Sequence, residues 1–213
     1  MNMDSLQNIN KNINNCKKCR LYKTAKNAVP GEGNEHAEIV FIGEAPGRNE
    51  DETGRPFVGR AGQLLESILK DIGLSRKDVW IGNVIKHRPP DNRDPLPDEI
   101  DACRGYLNMQ LDIIDPVLIV TLGRFAMNYF YPNGKISRDK GRLYKINGRY
   151  IYPIYHPAAA LRSTKMLKAF EDDFKKIPSA LEKVKKYKSG EIKIEKRDDD
   201  VESDDDGQLG LKF

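Results

Sequence analysis

The chain has 213 residues, with 32% charged, 38% hydrophobic and three cysteines. That length fits one α/β domain with a tail, and the cysteines are too few for a disulfide scaffold. No apolar run reaches the ~18 residues of a membrane helix, and the N-terminus lacks the apolar region of a signal peptide, so a cytoplasmic protein with no membrane contact is expected.

The formal net charge of +4 conceals an asymmetry. From Asp198 onward the balance is −6, and the rest of the chain carries +10. A basic body with an acidic tail points to a polyanionic partner for the body, although charge-rich surfaces also serve heat tolerance.

In chain order, Leu6 to Asn14 reads as a turn or two of helix, followed by Cys16-Lys17-Lys18-Cys19. Such a CxxC pair suits a redox dithiol, half a metal site or neither. Ala37 to Ile42 is a β-branched apolar run, a buried strand by pattern. Gly43 to Gly62, GEAPGRNEDETGRPFVGRAG, then reads as one long strand-to-helix loop before a helix through Gln63–Leu69. Its glycines allow close backbone approach to a ligand, and the crevice past a strand's carboxyl end is where α/β sheets bind them. It is neither a P-loop nor a GxGxxG fingerprint, because the spacing fits neither.

Val79 to Ile85 reads as a second strand, stopped by Pro89-Pro90. Pro97 begins a helix to Ile114 that carries Cys103. Pro116 to Leu122 is a third strand, and Gly123 opens a helix over Arg124 to Tyr131. Asn147-Gly148 marks a hairpin. Tyr150 to Tyr155 is a fourth strand ending at His156-Pro157, and Ala158 to Tyr187 is largely helical with an interruption at Pro178. Alternation of strand and helix predicts a parallel sheet covered on both faces. The expected domain spans 1–187, with a disordered acidic tail over 188–213.

The run GEAPG, then Glu50-Asp51, Gly54 and PFVGRAG, resembles the first motif of the family 4 uracil-DNA glycosylases. Asn83 in GNVIKHRPP, Asn92-Arg93-Asp94-Pro95 and His156-Pro157 in YHPAA extend the likeness from about Ile9 to Lys185. The resemblance implies a three-layer α/β/α sandwich with a central four-stranded parallel sheet. It implies an enzyme that flips uracil out of DNA and hydrolyses its N-glycosidic bond. A uracil-DNA-binding iron–sulfur protein with little turnover, and a clamp-tethered repair adaptor, are the alternatives; Glu44, Asn83 and His156 favour the enzyme.

The chemistry requires a held base, a donor for negative charge developing on O2, and a placed water. The resemblance assigns stacking on the flipped base to Phe57 and pairing with the uracil edge to Asn83. It assigns donation to O2 to His156. An amide fixed to donate to O4 and accept from N3–H rejects cytosine, whose pattern is reversed. Gly43, Glu44 and Ala45 line the uracil site. Laid on the family 1 loop Gly-Gln-Asp-Pro-Tyr, Ala45 takes the aspartate position. The catalytic carboxylate then falls to Glu44, either activating water or steadying the sugar cation. Glu50 is the candidate barrier to thymine's methyl group, and Arg60 and Arg162 are candidate DNA contacts.

The family's cluster ligands are four cysteines. Cys16, Cys19 and Cys103 match three of them, and His87 stands at the fourth position, sixteen residues before Cys103. A [4Fe-4S] cluster with Cys3His ligation, a zinc site and an incomplete site all remain open. The C-terminal segment resembles a sliding-clamp peptide through Gln208, Leu211 and Phe213. A monomer acting on uracil-containing DNA, and tethered to the clamp by this peptide, is the expected assembly.

Overall fold

The structure is a computed structural model that describes residues 5–192 and 209–211. The chain divides into two compact units, residues 1–116 and 117–213.

The first unit opens with α1 (Leu6–Asn14), capped by the Ser5 side chain on the Asn8 amide. Its apolar residues Ile9 and Ile13 pack on Tyr106. A short strand β1 (Glu32–Gly33) pairs antiparallel with β3 (Trp80–Asn83), and β2 (Ile39–Gly43) pairs with β3 in parallel. Every residue of β2 and β3 is buried, as the continuous apolar runs require. Between these strands lie α2 (Arg48–Thr53) and α3 (Arg60–Asp71), and α4 (Pro97–Ile114) completes the unit.

The presence of α2 corrects the reading of residues 43–62 as one loop. Gly47 starts that helix, Glu50 and Asp51 sit in its first turn, and Gly54 ends it with φ 70°. Acidic residues at a helix start and a glycine in the left-handed region at its end suffice to define two polar turns.

In the second unit, β4 (Leu118–Leu122) is fully buried and is followed by α5 (Arg124–Phe130) and the short α6 (Ile136–Asp139). Strands β5 (Leu143–Ile146) and β6 (Arg149–Ile154) form the expected hairpin, with Asn147 at φ 47° and Gly148 at φ 77°. Two successive positive φ values make the turn that matches strand twist. Strand β6 also pairs in parallel with β4. Three helices follow: α7 (Pro157–Ala160), α8 (Thr164–Phe174) and α9 (Ile177–Ser189). Pro178 lies within the first turn of α9, so the break falls just before it, where a proline is tolerated.

The α/β class holds, and the four expected strands are β2, β3, β4 and β6. The expected all-parallel arrangement is corrected, because β1 pairs antiparallel in the first unit, and β5 and β7 (Leu209–Leu211) pair antiparallel in the second. β7 pairs with β5 in the register Leu143↔Leu211, Tyr144↔Gly210 and Lys145↔Leu209. Gln208 and Phe213 lie outside the described residues, as does most of the acidic tail. No helix among the described residues is long and apolar enough to cross a membrane.

Candidate active site

Parallel pairing brings the carboxyl ends of β2 and β3 side by side, with Gly43 opposite Asn83. A β-carbon at Gly43 would lie 2.5 Å from Asn83 Oδ1 and 2.5 Å from Phe57 Cζ. The amide oxygen and the ring edge therefore converge over a bare backbone, which only glycine leaves open. Asn83 is 1% exposed, and its Oδ1 is buried without a hydrogen-bond partner. Buried side-chain oxygens rarely stay unpaired, so this one calls for an explanation.

Backbone bonds tie this strand end together. Val84 N–H donates to the Gly43 carbonyl at 2.9 Å and Ile85 N–H to the Glu44 carbonyl at 3.2 Å. Lys86 is a residue that the sequence pattern does not single out. Its fully buried ammonium donates to the Asn83 carbonyl at 2.9 Å and to that of Pro30 at 3.3 Å, and burial lowers its pKa to about 8. The only sequence signal is a lone lysine closing an apolar strand, and nothing local assigns it a partner.

Glu44 and Ala45 are half-buried. Glu50 turns one oxygen onto the loop: Oε1 accepts from Val58 N–H and Gly59 N–H, both at 2.8 Å. Its Oε2 would lie 2.7 Å from a β-carbon at Gly47. Gly59 is the N-cap of α3, so Glu50 supplies the carboxylate that the helix start favours. Arg60, the first residue of α3, is exposed.

In the second unit, His156 leaves β6 as the N-cap of α7, and its Nδ1 accepts from Ala158 N–H at 3.1 Å. An accepting Nδ1 places the proton of the neutral ring on Nε2, which makes Nε2 the donor. Gly123, which the sequence marked only as a helix start, backs this ring. It has φ 88°, and a β-carbon there would sit 3.0 Å from His156 Cβ. Its N–H donates to the Ile154 carbonyl at 2.8 Å. Arg162 is exposed, just before Ser163 caps α8.

The four candidate metal ligands all lie in the first unit. Cys16 and Cys19 are half-buried, while Cys103 and His87 are 3% and 6% exposed. Burial raises the Cys103 thiol to about 11, partly offset by a hydrogen bond from the Lys86 amide, and the neighbouring Cys19 and Cys16 raise it further. Burial raises Cys19 as well, against a bond from the Leu21 amide. Three thiols within one another's field suit a thiolate-bound centre in type. His87 is lowered by burial and raised by Asp51. It shares with Cys16 a cavity of about 780 Å³ that Asn14, Tyr22, Asn27 and Gly54 also line. Among the described residues, no three histidine, cysteine or carboxylate side chains stand at metal-ligating positions. The donor types fit such a centre, and the arrangement does not close around one.

The family profile of the Uracil DNA glycosylase superfamily matches residues 30–182. A type-4 uracil-DNA glycosylase of Sulfurisphaera tokodaii is 48% identical over 197 residues, covering 87% of this chain and 89% of that protein. One of Archaeoglobus fulgidus is 51% identical over 184 residues, covering 82% and 92%. One of Thermotoga maritima is 42% identical, covering 82% and 94%. A type-5 uracil-DNA glycosylase of Thermus thermophilus is more distant, at 31% over 60% of this chain. With strand ends, glycine-backed side chains and sequence in agreement along its length, the chain belongs to the uracil-DNA glycosylase superfamily, among its type-4 members.

Proposed function

We propose that the protein excises uracil from DNA by hydrolysing its N-glycosidic bond, the first step in repairing deaminated cytosine. The observation that carries this reading is the unpartnered Oδ1 of Asn83, buried beside the Phe57 ring over Gly43. A flipped uracil has the N3–H donor that such an oxygen lacks, and a planar face for the ring. Cytosine offers an acceptor at that position, so binding it would set two acceptors against each other.

In this reading His156 donates from Nε2 to uracil O2 as charge develops there, its tautomer fixed by the Ala158 amide. Glu44 places water or steadies the cationic sugar. Glu50, held by two amides, stands as a fixed wall near Gly47 and is the barrier to a methyl group. Arg60 and Arg162 contact the DNA backbone. The protein acts as a monomer in the cytoplasm. Its C-terminal peptide (Gln208, Leu211 and Phe213) engages the sliding clamp.

Cys16, Cys19, Cys103 and His87 would hold a [4Fe-4S] cluster, with zinc the alternative. Glycosidic hydrolysis transfers no electron, so such a centre would be structural, and its ligands would pin the N-terminal segment to α4.

The test is release of free uracil from U:G duplexes and from single strands, without added divalent metal. Asn83→Ala and His156→Ala should each lower the rate on the order of 10²-fold. Near-normal release by both variants would remove the site assigned here.

A further inference from the structure

We infer that Arg76 is a positioning residue that, together with Glu50, fixes the backbone of Phe57 so that its ring meets the base; this rests on the stacking role proposed for Phe57. These two charged side chains hold one backbone group on each of four consecutive residues, Pro56 to Gly59. Arg76 Nη2 donates to the Pro56 carbonyl at 2.6 Å, and Nη1 to the Phe57 carbonyl at 2.9 Å. Glu50 accepts from the next two amides, Val58 and Gly59.

The geometry calls for such restraint. Phe57 has φ 52°, in the left-handed region that a residue with a bulky side chain avoids. On its far side α3 packs directly on it, since a β-carbon at Gly62 would lie 1.8 Å from the Phe57 carbonyl oxygen. The carbonyl is thus caught between α3 and a guanidinium. A guanidinium presents its donors in a rigid planar fork, which suits two neighbouring carbonyls as an ammonium does not.

Arg76 is itself anchored. Its Nε and Nη2 donate to Glu32 Oε1 on β1, at 3.0 and 2.5 Å, and its side chain is 17% exposed. Arg55 donates to both oxygens of the same carboxylate, at 2.8 and 3.0 Å. Because Glu32 pairs with Ile81 on β3, the fork is referenced to the strand that carries Asn83. The clamp therefore sets the distance between stacking ring and pairing amide, the two walls of the base site.

The experiment is a double-mutant cycle of Arg76→Met with Phe57→Ala. It reads single-turnover uracil release, inhibition by free uracil and affinity for abasic-site DNA. Arg76→Met should slow release and weaken uracil inhibition by roughly 10-fold, with abasic-site affinity unchanged. In the Phe57→Ala background the same substitution should cost less than about 2-fold, because the ring it positions is gone. Arg76→Lys should recover only part of the loss. Should Arg76→Met fail to fold, Glu32→Gln, which loosens the fork but keeps it, should show the same non-additivity. Equal losses in both backgrounds would overturn the inference alone. A silent Phe57→Ala would overturn the stacking role and the inference with it.

Discussion

An imidazole and a thiolate make different demands on a metal centre, and His87 is the proposed fourth ligand beside three cysteines. The histidine is neutral as a ligand and buried here, with its pKa lowered by that burial and only Asp51 pulling it back. A pKa lowered by burial favours the neutral ring, the form in which imidazole ligates metal. If His87 completes the set, His87→Ala should yield colourless protein with little iron, and His87→Cys should restore iron and visible absorbance. Iron content and absorbance of protein purified without oxygen decide the matter; unchanged iron in His87→Ala would place the fourth ligand elsewhere.

At the scale of elements, α4 carries Cys103 and depends on how its first turn is fixed. Glu99 is fully buried, accepts from Arg93 at 2.6 and 2.9 Å, and accepts from Leu96 N–H at 2.9 Å. The Arg93 bond, with that amide, holds its carboxyl below the ordinary value of 4.5 despite desolvation. A depressed carboxylate contributes stability above its unfolded pKa and loses it as pH falls through the folded one. Glu99→Gln should therefore cost about 1–3 kcal/mol at neutral pH, and the gap to the parent should shrink as pH falls below the ordinary carboxylate value of 4.5. Urea unfolding at neutral pH and below that value checks this, and an equal gap at each would show that charge is not what Glu99 contributes. The other elements were legible to the degree that local pattern made them. Buried strands announced themselves as apolar runs, and Asn147-Gly148 announced the hairpin. Helix α2 did not, because RNEDET has no apolar residue to set a period. The site divides the same way. Glycine and asparagine at strand ends could be read from residues 43 and 83, whereas Arg76 reaches carbonyls 19 and 20 positions away and leaves no trace in spacing.

Across the whole molecule, the C-terminal segment is where two demands compete. Leu209 to Leu211 form β7, laid antiparallel along β5. Strand β5 pairs with β6 on one edge, so β7 covers its other edge, whose exposed amides and carbonyls would otherwise invite pairing with another chain. Leu211 is also one of the residues proposed to engage the clamp, and a backbone paired with Leu143 is not free to dock elsewhere. Clamp binding should therefore require β7 to leave β5, at the cost of a three-residue pairing. Amide exchange along β5 reports this directly. The amides among residues 143–145 that point toward β7 should exchange faster with saturating clamp, and faster still when residues 208–213 are deleted. The deletion should abolish clamp binding and leave uracil release from short oligonucleotides unchanged, because no proposed catalytic residue lies on β5 or β7. Tethering would then act only through local concentration on DNA. Unaltered β5 exchange in the clamp complex would show that both contacts coexist. Loss of oligonucleotide activity on truncation would assign β7 to the catalytic fold instead.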